Sequence, residues 1–145
     1  MKIKYKCLRD SAAPPFRATS GSAGADLCAA TDAPVTIRPH TAEHIPTGLA
    51  IELPSDDCAA FVFARSGLSR KHGIAPVNCV GVIDSDYRGE IIVALVNQFD
   101  EPYTVMPGER VAQLVVMPVI NAEFEKADEL SDTERGAGGF GSTGK

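Results

Sequence analysis

The segment Gly81–Asn97 reads GVIDSDYRGEIIVALVN: an apolar strand, a polar turn holding two carboxylates, an aromatic and an arginine, then a second apolar strand over Glu90–Asn97. Strand, loaded turn and strand form the unit of an antiparallel sheet, and the rest of the chain repeats the pattern. Ten prolines and 13 glycines punctuate it. Between them lie short segments rich in Val, Ile, Ala and Phe: Ile3–Leu8, Val35–Ile37, Glu43–Leu53, Cys58–Ala64, Ile74–Val77, Tyr103–Val105 and Arg110–Ile120. Long amphipathic helical periods are missing. One helical turn is expected at Ser66–His72, with Ser66 as its N-cap. The reading is all-β, a jelly-roll-like barrel or sandwich with one short helix.

The chain has 145 residues, one domain's worth, with 44% hydrophobic and 23% charged residues, which excludes a disordered, collagen-like or coiled-coil chain. Nineteen acids against 14 bases leave a net charge of −5. That balance argues against a general nucleic-acid partner, whose grip needs a basic face. Cys7, Cys28, Cys58 and Cys79 form no C-x-x-C pair, so reduced, packed thiols are expected. No apolar run reaches signal-peptide length at the N-terminus or the ~18 residues of a membrane span. A cytoplasmic protein with no membrane partner is therefore expected. From Asn121 onward the composition turns acidic and then glycine-rich, which divides the chain into a β domain over 1–120 and a flexible C-terminal arm over 121–145.

Several short stretches carry chemistry, each with an ordinary alternative. Asp84 and Asp86 could hold a metal or activate a water near phosphorus, or serve as plain turn residues. Arg65, Ser66 and Gly67 offer a guanidinium, a hydroxyl and backbone donors to an anion, or form a surface turn. In the arm, Arg135, Phe140, Gly141, Ser142 and Thr143 combine charge, an aromatic, glycine and hydroxyls, suiting a phosphate cradle. The alternative is a flexible tail, and the P-loop spacing is not met. Asp26 follows Gly24 closely, and Arg110 and Gln113 open an apolar strand. His40 and His44 have a helical metal-pair spacing, but Pro39 and the β pattern oppose a helix there.

Taken together, Ala23–Leu27 (AGADL), Arg65–Leu68 (RSGL), Gly81–Ile91 (GVIDSDYRGEI), Gly108–Gln113 (GERVAQ) and Arg135–Gly144 (RGAGGFGSTG) resemble, in order and spacing, the five motifs of the trimeric deoxyuridine triphosphatase (dUTPase) family. The likeness spans nearly the whole chain. It departs at Ala25, where the family often has an aromatic, and at Ala64, where proline is frequent; neither position supplies chemistry. The resemblance implies a jelly-roll homotrimer with shared active sites, closed by the arm, that hydrolyses dUTP to dUMP and diphosphate with Mg²⁺. Such an enzyme limits uracil incorporation into DNA and supplies dUMP for thymidylate synthesis. It further implies that Asp84 activates the water that attacks the α-phosphorus. Asn78 and the backbone of Gly81, Val82 and Ile83 would pair with uracil, and Tyr87 would pack under the deoxyribose and exclude a 2′-hydroxyl. Arg65, Ser66, Gly67 and Gln113 would hold the phosphates, and Asp26 would reach Mg²⁺ through water. Phe140 would stack over the base, and Arg135, Gly141, Ser142 and Thr143 would close on the γ-phosphate. The related dCTP deaminases share the fold and carry a catalytic glutamate where this chain has Ala94. A binding protein that merely keeps the scaffold would leave the retained Asp84, Tyr87 and Phe140 unexplained.

Overall fold

Antiparallel pairing builds the protein, as described for residues 1–139 in a computed structural model. The elements in chain order are β1 (Lys4–Cys7), β2 (Ala25–Cys28), β3 (Val35–Ile37), β4 (Ala42–Pro46), β5 (Leu49–Glu52), β6 (Cys58–Ala64) and α1 (Ser66–His72). There follow β7 (Ile74–Pro76), β8 (Val80–Ile83), β9 (Ile92–Asn97), β10 (Tyr103–Val105) and β11 (Arg110–Pro118). The strands form a four-stranded sheet β2-β11-β6-β8, a three-stranded sheet β4-β9-β7, and two ribbons, β1-β5 and β10-β3. The chain is all-β with one short helix, in a jelly-roll-like arrangement.

The expected strand Glu43–Leu53 is in fact two strands, parted at Thr47–Gly48. Gly48 takes φ +66°, and a Cβ there would lie 2.6 Å from that of Ala12, so only glycine fits. The break lets β4 pair with β9 while β5 pairs with β1, turning the chain from one sheet to another. Strand β2 was not among the expected strands; it is only four residues long and interrupted by Asp26, and pairing with β11 makes it a strand. Ser66 does not cap the helix. Arg65 is the N-cap residue, extended and without a side-chain capping bond, and Ser66 is already helical. The helix ends on Gly73, whose N–H reaches the Ser69 carbonyl at 3.1 Å.

Leu27, Ile37, Ile45, Leu49, Leu95, Val105 and Val111 lie fully buried between the sheets, and this apolar burial is the main force holding them together. Two polar side chains, Thr47 and Asn97, are buried as fully among the described residues; Asn97 Nδ2 donates to the Ile37 carbonyl at 3.1 Å and the Glu101 carbonyl at 2.7 Å. Those bonds satisfy the buried Asn97 amide and tie β9 to the loop before β10. After β11, Val119 N–H donates to Asp57 O (2.8 Å) and Asn121 Nδ2 to Asp56 O (3.0 Å). Beyond them the described residues, as far as 139, form neither helix nor strand, and Phe124 is 99% exposed.

Candidate active site

Two clusters of the expected residues form on this frame. The first gathers where β6 runs into α1 and meets β2 and β11. Asp26 lies at the centre, its carboxylate accepting from Arg65 Nε at 2.9 Å and from an Arg110 guanidinium nitrogen at 3.1 Å. Ser66, Gly67 and Gln113 line the same hollow of about 300 Å³. Gln113 is fixed by donating through Nε2 to the Ala64 carbonyl at 2.9 Å, and it passes so close to Gly24 that a Cβ there would meet its Oε1 at 2.6 Å. Arg110 and Gln113 are three apart and should face opposite sides of a regular strand. A register shift between Arg110 and Ala112 brings both to one hollow.

The second cluster is a pocket of about 230 Å³ at the β8 end of the four-stranded sheet, lined by Asn78, Gly81, Val82, Ile83, Asp84 and Tyr87. Cys79, at φ +62°, turns the chain into β8, leaving Gly81 against Val62. Asp84 stands exposed where β8 ends. Tyr87 follows it, its N–H bonded to Asp84 O at 3.2 Å and its hydroxyl donating to Glu90 O at 2.9 Å. Its ring crosses Gly89, where a Cβ would lie 2.4 Å from the hydroxyl oxygen.

Arg135 lines neither cavity; it sits in a turn of the arm, its Nε donating to Gly138 O at 2.8 Å. Phe140, Gly141, Ser142 and Thr143 lie outside the described residues. Reading the sequence did not single out Gly24, Gly89 or Glu90, and it left Arg110 as a weak signal. The signals available were the glycine of AGADL and the arginine of GERVAQ, whose value depends on partners far along the chain. His40 bonds Asp100 at 3.0 Å and His44 lies on β4. Among the described residues no three His, Cys, Asp or Glu side chains gather as a metal cage. Asp26 is the one carboxylate in the arginine hollow, so a divalent cation bound there would take its other ligands from phosphate oxygens and water, as Mg²⁺ does.

Fold and site together define a class, a jelly-roll-like β protein with an arginine-lined hollow and a separate pocket edged by a carboxylate and an aromatic. The family model of the dUTPases matches residues 10–144. The deoxyuridine 5′-triphosphate nucleotidohydrolase of Desulfitobacterium hafniense is 56% identical over 146 residues, covering 99% of this chain and 97% of its own. That of Coxiella burnetii is 50% identical over 145 residues, covering 100% and 95%. Among solved structures, the Staphylococcus bacteriophage 80alpha dUTPase with dUPNHPP superimposes with a TM-score of 0.90 at 27% identity, covering 99% of each chain. The chain belongs to the dUTPase family and is a nucleotide hydrolase of that family.

Proposed function

We propose that the chain hydrolyses dUTP to dUMP and diphosphate by Asp84-activated attack of water on the α-phosphorus, in homotrimeric sites built from more than one copy. The observation that carries this is the single pocket holding Asn78, the Gly81–Ile83 backbone, Asp84 and Tyr87. Backbone and amide groups there suit the polar edge of a pyrimidine, and the Tyr87 ring gives the sugar an apolar floor with no room for a 2′-hydroxyl. At its rim the Asp84 carboxylate can take a proton from water as the oxygen attacks. The phage enzyme's binding of dUPNHPP supports the nucleotide class. Ala94 also lines the pocket, so a methyl group stands where the related deaminases carry glutamate, which favours hydrolysis over deamination.

Sheet register supports sharing between copies. Ile83 pairs with Ala60, and Arg65 lies five positions further along the chain, about 17 Å of extended strand. The phosphate hollow and the Asp84 pocket of one chain thus lie apart along the same sheet, whereas a pocket and a hollow from neighbouring copies can face one another. Arg65, Ser66, Gly67, Arg110 and Gln113 then orient the phosphate chain. Arg135 and the following glycines, with Phe140, Gly141, Ser142 and Thr143, close over it and exclude water. Mg²⁺, held between the phosphates and, through water, Asp26, would supply charge neutralisation. Free Cys7, Cys28, Cys58 and Cys79 suit the reducing cytoplasm, where we place the enzyme.

The test is diphosphate release from dUTP, dTTP, dCTP and UTP with and without Mg²⁺, and from dUTP by Asp84→Asn. Turnover confined largely to dUTP and Mg²⁺ is expected. The variant should lose at least about 100-fold in kcat while still binding nucleotide, because an amide keeps the shape without the base. Full turnover by Asp84→Asn overturns the assignment.

A further inference from the structure

Arg9 lies outside all five motifs, yet it reaches the turn that carries Tyr87. Its Nε donates to Glu90 Oε1 at 2.9 Å and its Nη2 to Oε2 at 3.1 Å, a two-point grip that fixes the plane of the carboxylate. Glu90 Oε1 also accepts from the Gly48 N–H at 2.9 Å, and the Leu8 N–H donates to Gly48 O at 2.7 Å. The next residue is held as firmly: Ile91 N–H donates to Leu49 O at 2.7 Å, and Thr47 Oγ1 donates to Ile91 O at 2.7 Å. The Glu90 side chain is only 18% exposed. The Arg9 bond holds its carboxyl below the ordinary range, and the Gly48 N–H adds to this against the opposing effect of burial. The carboxylate is therefore charged at neutral pH.

The purpose of so many anchors on one residue follows from what Glu90 does through its backbone. Its carbonyl is the acceptor for the Tyr87 hydroxyl, and Glu90 lines the same pocket as Asp84 and Tyr87. Tyr87 is itself 45% exposed, so packing alone does not hold its ring. We propose that Arg9 and Glu90 are positioning residues for the sugar subsite, the clamp fixing the carbonyl that holds Tyr87 and so setting how strongly the enzyme distinguishes deoxyribo- from ribonucleotides. The proposal rests on the reading of Tyr87 as the floor under the deoxyribose.

The experiment measures kcat and KM for dUTP and UTP in the wild type, Arg9→Ala, Arg9→Lys, Glu90→Gln, Tyr87→Ala and the Arg9→Ala/Tyr87→Ala double variant. Arg9→Ala should lower the dUTP-to-UTP ratio of kcat/KM by about fivefold, since a small displacement of a positioned group suffices for such a loss. Glu90→Gln should lower it similarly. Arg9→Lys should recover part of it, keeping the charge without the planar fork. Tyr87→Ala should lower the ratio further, and the double variant should match Tyr87→Ala, because the clamp then has nothing left to position. A clamp that serves stability alone lowers the melting temperature, or slows both substrates equally, and leaves the ratio unchanged; that result overturns the proposal. If Tyr87→Ala keeps the wild-type ratio, the reading of Tyr87 fails and the clamp's role falls with it. If Tyr87→Ala lowers the ratio while Arg9→Ala and Glu90→Gln do not, the clamp alone is refuted. Should Arg9→Ala not fold, Arg9→Lys and Glu90→Gln carry the comparison.

Discussion

Alanine at Gly89 separates the ring of Tyr87 from the rest of the fold. The added Cβ would lie 2.4 Å from the Tyr87 hydroxyl oxygen and 2.6 Å from Cζ, where ordinary contact begins at 3.4 Å, so about 1 Å of movement is required. The backbone need not supply it, because the φ of Gly89 lies outside the left-handed region and the obstructing atoms are the far end of a half-exposed side chain. The ring swings outward and gives up its 2.9 Å bond to Glu90 O, a loss of about 1 kcal/mol or less at such a site. Replacing glycine also narrows the unfolded ensemble, which returns ~0.4–1 kcal/mol. Stability should change by less than about 1 kcal/mol, a melting shift of a few degrees. Discrimination should suffer more, because ~1 Å of misplacement can cost up to ~100-fold; we expect the dUTP-to-UTP ratio of kcat/KM to fall about tenfold. Thermal melting and diphosphate release on the same preparation test both halves. Destabilisation beyond about 3 kcal/mol would show that the backbone yields rather than the ring, and a wild-type ratio in a normally melting variant would show that the ring does not guard the sugar subsite.

Gly24→Ala should raise KM for dUTP several-fold and destabilise by ~1–3 kcal/mol, since its Cβ meets Gln113 at both Oε1 (2.6 Å) and Cβ (3.1 Å); kinetics and urea titration check it, and an unchanged KM counts against Gln113 as a phosphate ligand. Removing residues 135–145 should leave the β body folded, as among the described residues the hydrogen bonds of 135–139 stay within the arm, with activity severely reduced; an unfolded circular-dichroism spectrum would contradict the lid reading. Co-refolding that truncated chain with Asp84→Asn in equal amounts should restore about a quarter of the sites if Asp84 and the arm come from different copies, whereas parental activity in verified mixed oligomers eliminates that arrangement. The Arg9 bond holds the Glu90 carboxyl below its ordinary 4.5, so the stability it contributes is fully present above pH 4.5 and is lost as the pH falls through the lower folded value. The stability gap between wild type and Glu90→Gln, read by urea unfolding at stepped pH, should therefore be constant down to about pH 4.5 and narrow below it; a gap that widens in acid is incompatible with the clamp.

Val35–Ile37, Cys58–Ala64 and Tyr103–Val105 have the same bounds in the sequence pattern as in the structure. Each is apolar and closed by residues that interrupt a strand, such as Pro34, Pro102 and the Arg65–Ser66 turn. The break at Thr47–Gly48 was invisible because its cause is the approach of Ala12, 36 positions earlier, and β2 was invisible because four residues containing Asp26 become a strand only beside β11. The same distinction runs through the site. Asp84 and Tyr87 stood out because a carboxylate and an aromatic share one turn, whereas Asn78, on the far side of β8, entered only through the family resemblance. Arg110 did not stand out, since a shift of one residue inside β11 brings it to the side of Gln113. The close approaches at Gly24 and Gly89 and the Arg9–Glu90 grip went unread for a related reason, namely that what each glycine admits and what each charge grips is fixed by the folded chain rather than by neighbours in sequence.

The charge balance of the arginine hollow explains why such a site would need an arm that arrives with the substrate. Arg65 and Arg110 face one carboxylate, Asp26, whose side chain is only 12% exposed. Two guanidiniums against one carboxylate leave a single net positive charge, which a folded chain can hold at little cost because Asp26 keeps both arginines paired and oriented. A nucleoside triphosphate brings about four negative charges, so the hollow alone cannot balance it, and building in the missing cations permanently would set like charges against each other in the empty site. Supplying them from outside would remove the conflict: on the proposed reading, Arg135 on the arm and a cation accompanying the phosphates would add positive charge only when negative charge is present. Asp26 then has two successive uses. It keeps Arg65 and Arg110 paired, and on the proposed reading it would become free to face a hydrated cation once phosphate oxygens took over those arginines.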